Sequence, residues 1–277
     1  MTGPRRWLGY AALVVVFGVI CGLLSWWQFA RNEEANERIR QVVDNWDEAP
    51  VALDSVLPAS DAVFDPADTW TPVEMTGVYD VANQLFVRGR PRDGQPGFEI
   101  LVPLVLDGGD GVLIVDRGWV PVGERQAEVP DVVPPAPQGP VTVVARLKVG
   151  EPSVPGRSAP AGQVATIELP LIAANIALPD VYTGAYGLLA TETPAVPTPA
   201  LFDRPSPDPG PHLSYAVQWI LFALFAASAL IWAIFNERRA RNDEVEAART
   251  GIPAPDRRRP RVGDADSAEE DALLDSR

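Results

Sequence analysis

Reactive side chains are scarce in this sequence, which has one histidine and one cysteine in 277 residues. The lone cysteine, Cys21, sits inside an apolar run. That rules out an internal disulfide, a Cys-x-x-Cys redox pair, a c-type haem attachment motif and a Cys-rich metal site, so any redox chemistry must come from a bound cofactor. A Ser-His-Asp triad would have to use His212, which adjoins a second apolar run, and a zinc hydrolase would lack ligands. Phosphate-cradling loops are missing too: Asp107-Gly108-Gly109-Asp110-Gly111 is glycine-rich but lies between two strand-like runs, where it reads as a turn. Positive charge is thin in the middle of the chain, with 12 Lys or Arg against 26 Asp or Glu over residues 31–211. Such a segment repels phosphate backbones, which argues against nucleic-acid binding. These absences favour a non-enzyme. The competing enzyme reading is a hydrolase using a pair of carboxylates, and no spacing singles out such a pair.

Long uncharged runs, by contrast, are conspicuous. Trp7 to Ala30 spans 24 residues without a charge and Leu213 to Phe235 spans 23. At about 1.5 Å per residue either run reaches roughly 35 Å as a helix, enough to cross a bilayer. The first run is too long for a signal-peptide core and no small-x-small cleavage site follows it. A twin-arginine reading of Arg5-Arg6 and a lipidated Cys21 are the processing alternatives. Arginines precede the first run and cluster after the second, at Arg238, Arg239, Arg241 and Arg249. The positive-inside rule then puts both termini in the cytoplasm. Six residues before the first span leave no room for an organelle transit peptide, so the expected address is a bacterial plasma membrane.

The expected layout is a cytoplasmic N-terminus over 1–6, a transmembrane helix over 7–30, an extracytoplasmic β-rich domain over 31–211, a second transmembrane helix over 212–235, and a disordered cytoplasmic tail over 236–277. Helical composition continues past the first span to Trp46, with charge pairs three or four residues apart. Between the spans, alternation of apolar and polar residues predicts strands at 73–81 and 84–88, a hairpin of 98–106 with 112–121 around the Asp-Gly turn, and further strands at 141–149, 164–169 and 181–190, with a short helix within 171–178. The proline-rich stretch 130–140 cannot extend a ladder. The fold class is a membrane protein whose two transmembrane helices flank a mainly antiparallel β domain that is barrel- or sandwich-like.

His212 is the residue with the most chemistry on offer. Pro211 suits a first helical turn, which places His212 at the N-terminal end of the second span. A neutral imidazole there keeps a nitrogen lone pair for a metal, and that is what haem iron needs. Tyr215, Trp219 and Phe222 follow at i+3, i+7 and i+10 on one helix face, which suits a flat macrocycle. The competing account is an aromatic membrane-interface belt with a solvated histidine.

Four segments give the chain a resemblance to a known family: Trp27-Gln28-x-x-Arg31; Gly97 with Val102-Pro103-Leu104; Val112 to Pro121, with its Asp116-Arg117-Gly118-Trp119-Val120-Pro121 ending; and Pro211-His212-Leu213-Ser214-Tyr215-Ala216 with Gln218-Trp219. Together they resemble the Surfeit-locus-one assembly factors of haem-a-containing cytochrome c oxidase, over residues 7–235. Ser25 and Glu34 depart from residues usual in that family. The resemblance implies a non-catalytic role in assembling the oxidase catalytic subunit by holding or passing haem a, with factors of haem a synthesis or insertion and membrane lipid as further partners. His212 matches the iron ligand proposed for the family. Trp27 and Gln28 would face it from the first span, with Tyr215 and Trp219 completing the pocket. Arg117 either meets a haem propionate or a partner carboxylate, or serves the strand end, where Gly118 and Trp119 are read as structural. The alternative function is a membrane scaffold that binds the oxidase without touching haem.

Overall fold

A computed structural model describes residues 3–109, 111–126 and 128–251, which form two units. The first unit holds residues up to Arg31 and from Pro211 onward, and the second holds Asn32–Gly210. Helix α1 runs from Gly3 to Asn45 and α3 from His212 to Thr250, and both are long and apolar enough to cross a membrane.

In the first unit, α1 and α3 are antiparallel partners. Arg6 donates to Glu237 at 2.8 Å at one end, and the Ser25 hydroxyl donates to the Ala216 carbonyl at 3.0 Å near the other. The less exposed positions of α1 from Trp7 to Gln28 (Trp7, Ala11, Val14, Gly18, Cys21, Leu24, Ser25 and Gln28) follow the three- and four-residue spacing of a single helix face. Several of these are small, which lets backbones approach where no hydrophobic force separates protein from lipid. Trp26 and Trp232 are 71% and 69% exposed, as residues that meet lipid headgroups are.

The second unit is built on eight strands. These are β1 (Val51–Ala52), β2 (Pro72–Tyr79), β3 (Leu85–Arg88), β4 (Gly97–Leu106), β5 (Val112–Pro121), β6 (Pro140–Val149), β7 (Gln163–Val164) and β8 (Ala185–Thr193), with helix α2 (Leu169–Asn175) between β7 and β8. Five of them close a ring. β2 pairs with β6, β6 with β8, β8 with β5, β5 with β4, and β4 returns to β2 through Gly77–Tyr79 against Leu104–Leu106. Only β5–β8 is parallel within the ring. The result is a five-stranded Greek-key barrel of the kind OB-folds use.

Alternation sorts the side chains. Val73, Met75, Ile100, Val102, Leu113, Val115, Val143, Leu147 and Leu189, drawn from all five ring strands, fill the interior. Leu101, Ile114, Tyr186 and Leu188 face outward, beneath Leu169 and Ile172 of α2. A ring of five strands is too narrow to hold anything but its own side chains. Trp46, just after α1, is tied to this barrel, since Arg146 stacks 4.0 Å above its ring and the Arg146 Nε donates to its carbonyl.

Three expectations are corrected. The expected disorder from Asn236 gives way to helix as far as Thr250, because Glu237 and Arg241 pair at i, i+4 and alanines recur through the segment; the remainder of the expected tail, 252–277, lies outside the described residues. The strand at 164–169 shrinks to Gln163–Val164, because Pro170 in the first turn fits a helix and α2 begins at Leu169. The last strand starts at Ala185 rather than Val181, which makes only an isolated bridge to Val112.

Candidate functional site

The first unit brings two of the sequence-predicted residues into contact. His212 opens α3, following Pro211, whose carbonyl accepts from the Tyr215 amide at 3.1 Å. Gln28 lies on the less exposed face of α1, one turn beyond Ser25. Its Oε1 is 2.9 Å from His212 Nδ1, and both side chains are half-buried. A carbonyl oxygen can only accept, so this bond requires Nδ1 to carry the proton. In the neutral imidazole the lone pair is then on Nε2, which has no hydrogen-bond partner among the described residues. Metal-binding histidines are commonly oriented in this way by a partner on the other ring nitrogen.

Both helices carry aromatic residues near this pair in sequence. Tyr215 is 48% exposed, and Trp219 is half-buried with Phe222 edge-on at 5.7 Å. Trp27 adjoins Gln28 in sequence, is 49% exposed, and has the Arg31 guanidinium over its ring at 5.9 Å. Ala216, one turn after His212, is fully buried, and its carbonyl accepts from Ser25. The sequence reading noted Ser25 only as a departure from a family pattern; the structure makes it the hydrogen bond that fixes the two helices one turn from the histidine.

In a haem the macrocycle supplies four of the iron's ligands, so a single oriented imidazole would suffice, whereas a zinc or calcium site needs several side chains. Flat, partly exposed aromatic rings and a free Nε2 fit such a group. His212 would hold the iron, and Gln28 would keep the ring turned toward it.

Arg117 belongs to the other unit. On β5 it follows Leu113 and Val115 in the inward alternation and is fully buried. Its Nη2 donates to Glu192 Oε1 at 2.6 Å and its Nε to Oε2 at 3.3 Å, its Nη1 donates to the Pro134 carbonyl, and its charge lies 5.5 Å from the Tyr79 ring. Within its own unit Arg117 is thus held by protein groups: a carboxylate, a carbonyl and a ring. Glu192, its partner on β8, was not singled out by sequence reasoning. Gly118 has φ +125°, and a Cβ there would meet the Ala200 carbonyl oxygen at 2.7 Å. Trp119 lies so close to Gly97 that a Cβ at that glycine would fall 2.2 Å from the indole, whose Nε1 donates to the Arg90 carbonyl.

Beside this strand end lies a cluster of charges. Asp116 is fully buried; its Oδ1 accepts from the Gly118 amide at 3.0 Å, and its Oδ2 has no hydrogen-bond partner among the described residues. Burial, reinforced by the nearby charge of Glu99, pushes its carboxyl well above the usual range. Glu99 is also raised by burial, against the pull of Arg90, to which it pairs at 2.9 Å.

Fold and site together define a membrane-anchored β-barrel protein with an oriented histidine where one anchor helix begins. The profile of the SURF1 family matches residues 15–224, and the chain belongs to that family. The family is in general one of oxidase assembly factors rather than catalysts. SURF1-like proteins of Mycobacterium bovis and of two strains of Mycobacterium tuberculosis, themselves uncharacterized, are each 35% identical over 268 residues, covering 91% of this chain and 90% of the relative.

Proposed function

We propose that this protein serves assembly of a haem-a-containing cytochrome c oxidase by holding haem a at His212 and passing it toward the catalytic subunit, with factors of haem a synthesis as its suppliers. The reading is supported above all by the 2.9 Å contact of Gln28 Oε1 with His212 Nδ1, which leaves Nε2 available as an axial ligand. Bound there, haem a would add an iron with four macrocycle nitrogens already in place. Tyr215, Trp219 and Trp27 offer apolar surface to its faces and edge. The site would lie at the outer surface of a plasma membrane, with both chain termini cytoplasmic and the barrel outside, as the arginine distribution favours.

The test is a spectrum. Protein purified from cells that make haem a should carry a Soret band, and His212→Ala should abolish or shift it. A wild-type protein with no Soret band, or a variant with an unchanged one, overturns the haem reading and leaves a scaffold that binds the oxidase through protein contacts.

A further inference from the structure

At the opposite end of the helix pair from His212, α1 and α3 enclose an open groove of about 540 Å³. Its floor is apolar, made by Trp7, Leu8, Ala11 and Ile234, and its rim carries Glu237, Arg238 and Arg241. The rim charges do not cancel. Glu237 is shared between Arg6 and Arg241, each at 2.8 Å, while Arg238 makes no ion pair among the described residues. One carboxylate therefore faces three guanidinium groups, two of which line the groove. Trp7 is packed edge-on against Tyr10 at 5.7 Å and under the Arg6 guanidinium at the same distance, a placement suited to the boundary between acyl chains and headgroups.

An apolar slot that ends in surplus guanidinium groups matches one kind of molecule found at that depth. We infer that the groove is a binding site for an anionic phospholipid, with one acyl chain along Trp7, Leu8, Ala11 and Ile234 and the phosphodiester against Arg238 and Arg241. Basic clefts between membrane helices recognise anionic headgroups by the same complementarity. A zwitterionic choline lipid would bring a cation to a rim that already has too many. The inference is independent of haem and rests only on both helices crossing a bilayer.

Native mass spectrometry of the full-length protein in detergent tests it. Phosphatidylglycerol is titrated against phosphatidylcholine with the same acyl chains. One phosphatidylglycerol should be retained roughly tenfold more tightly, and Arg238→Gln combined with Arg241→Gln should bring the two lipids level. Glu237→Gln should move the other way and tighten phosphatidylglycerol binding, a gain that misfolding cannot produce. Equal retention of the two lipids by wild type, or an unchanged preference in the double arginine variant, overturns the site. Competition by millimolar glycerol phosphate would reassign it to free anions and overturn the lipid assignment. Release of the protein from membranes by alkaline carbonate would instead defeat the premise that both helices span, which separates that failure from loss of lipid preference in a protein that stays embedded.

Discussion

Gln28 and His212, 184 residues apart in the chain, share a hydrogen bond of 2.9 Å in which the amide oxygen accepts from Nδ1. The bond makes the imidazole a one-sided donor of electrons, with Nε2 the only nitrogen open to a metal.

Gln28→Leu keeps the histidine but frees its ring to rotate and to change tautomer. Haem affinity should fall by roughly 10–100-fold, the usual cost of losing such an orienting partner. Gln28→Glu, which accepts the same bond with a full charge, should retain it. Spectrophotometric haem titration of the three proteins checks the order.

Glu192→Ala should destabilise the barrel by about 3–5 kcal/mol, because it strands the fully buried guanidinium of Arg117. Replacing both partners by apolar residues, as in Arg117→Met with Glu192→Leu, should restore most of the loss. Denaturant unfolding measures this. An Arg117→Met/Glu192→Leu protein that folds yet loses its Soret band would return Arg117 to the haem site.

Gly118→Ala should cost about 1–3 kcal/mol for its left-handed backbone alone, and more for the 2.7 Å approach to the Ala200 carbonyl oxygen. Gly94→Asn is the control. Its φ of +78° is tolerated by Asn and no atom lies within 4 Å, so its unfolding midpoint should stay close to wild type.

Stability should depend on pH through Asp116. Its carboxyl is raised in the folded state by burial and by Glu99, so the folded protein binds a proton that the unfolded chain releases in the ordinary carboxylate range. The contribution is fully present below that range and is lost as pH rises through the folded value. Asp116→Asn should therefore gain on wild type as pH increases from about 4 upward. Unfolding midpoints of the two proteins at pH 5 and pH 8 give the comparison. Glu151, held low by Arg90 and the Ile167 amide against the effect of burial, acts in the opposite sense in both proteins and drops out of it.

Strand positions were legible wherever one face is buried. Val141 to Leu147 alternates because its odd positions fill the barrel, and the Asp107–Gly111 turn marks the hairpin of β4 and β5 by chemistry alone. The two long apolar helices could be read for the same local reason. Pairings made across the chain could not. Nothing near Arg117 in sequence announces Glu192, since many carboxylates were equally eligible until the ring closed. The parallel contact of β5 with β8 is likewise a product of topology. Val164 to Leu169 looked like a strand because apolar residues suit either structure, and the helix was decided by Pro170 and by the packing of Leu169 and Ile172 over the sheet.

A ring of strands that ends where it began pairs its backbone amides and carbonyls mostly with one another. Among the described residues the outermost strands are the two-residue β1 and β7, too brief to template another chain. Whatever docks on this barrel must be recognised by side chains and loops, so single surface substitutions can retune its choice of companion without touching the frame.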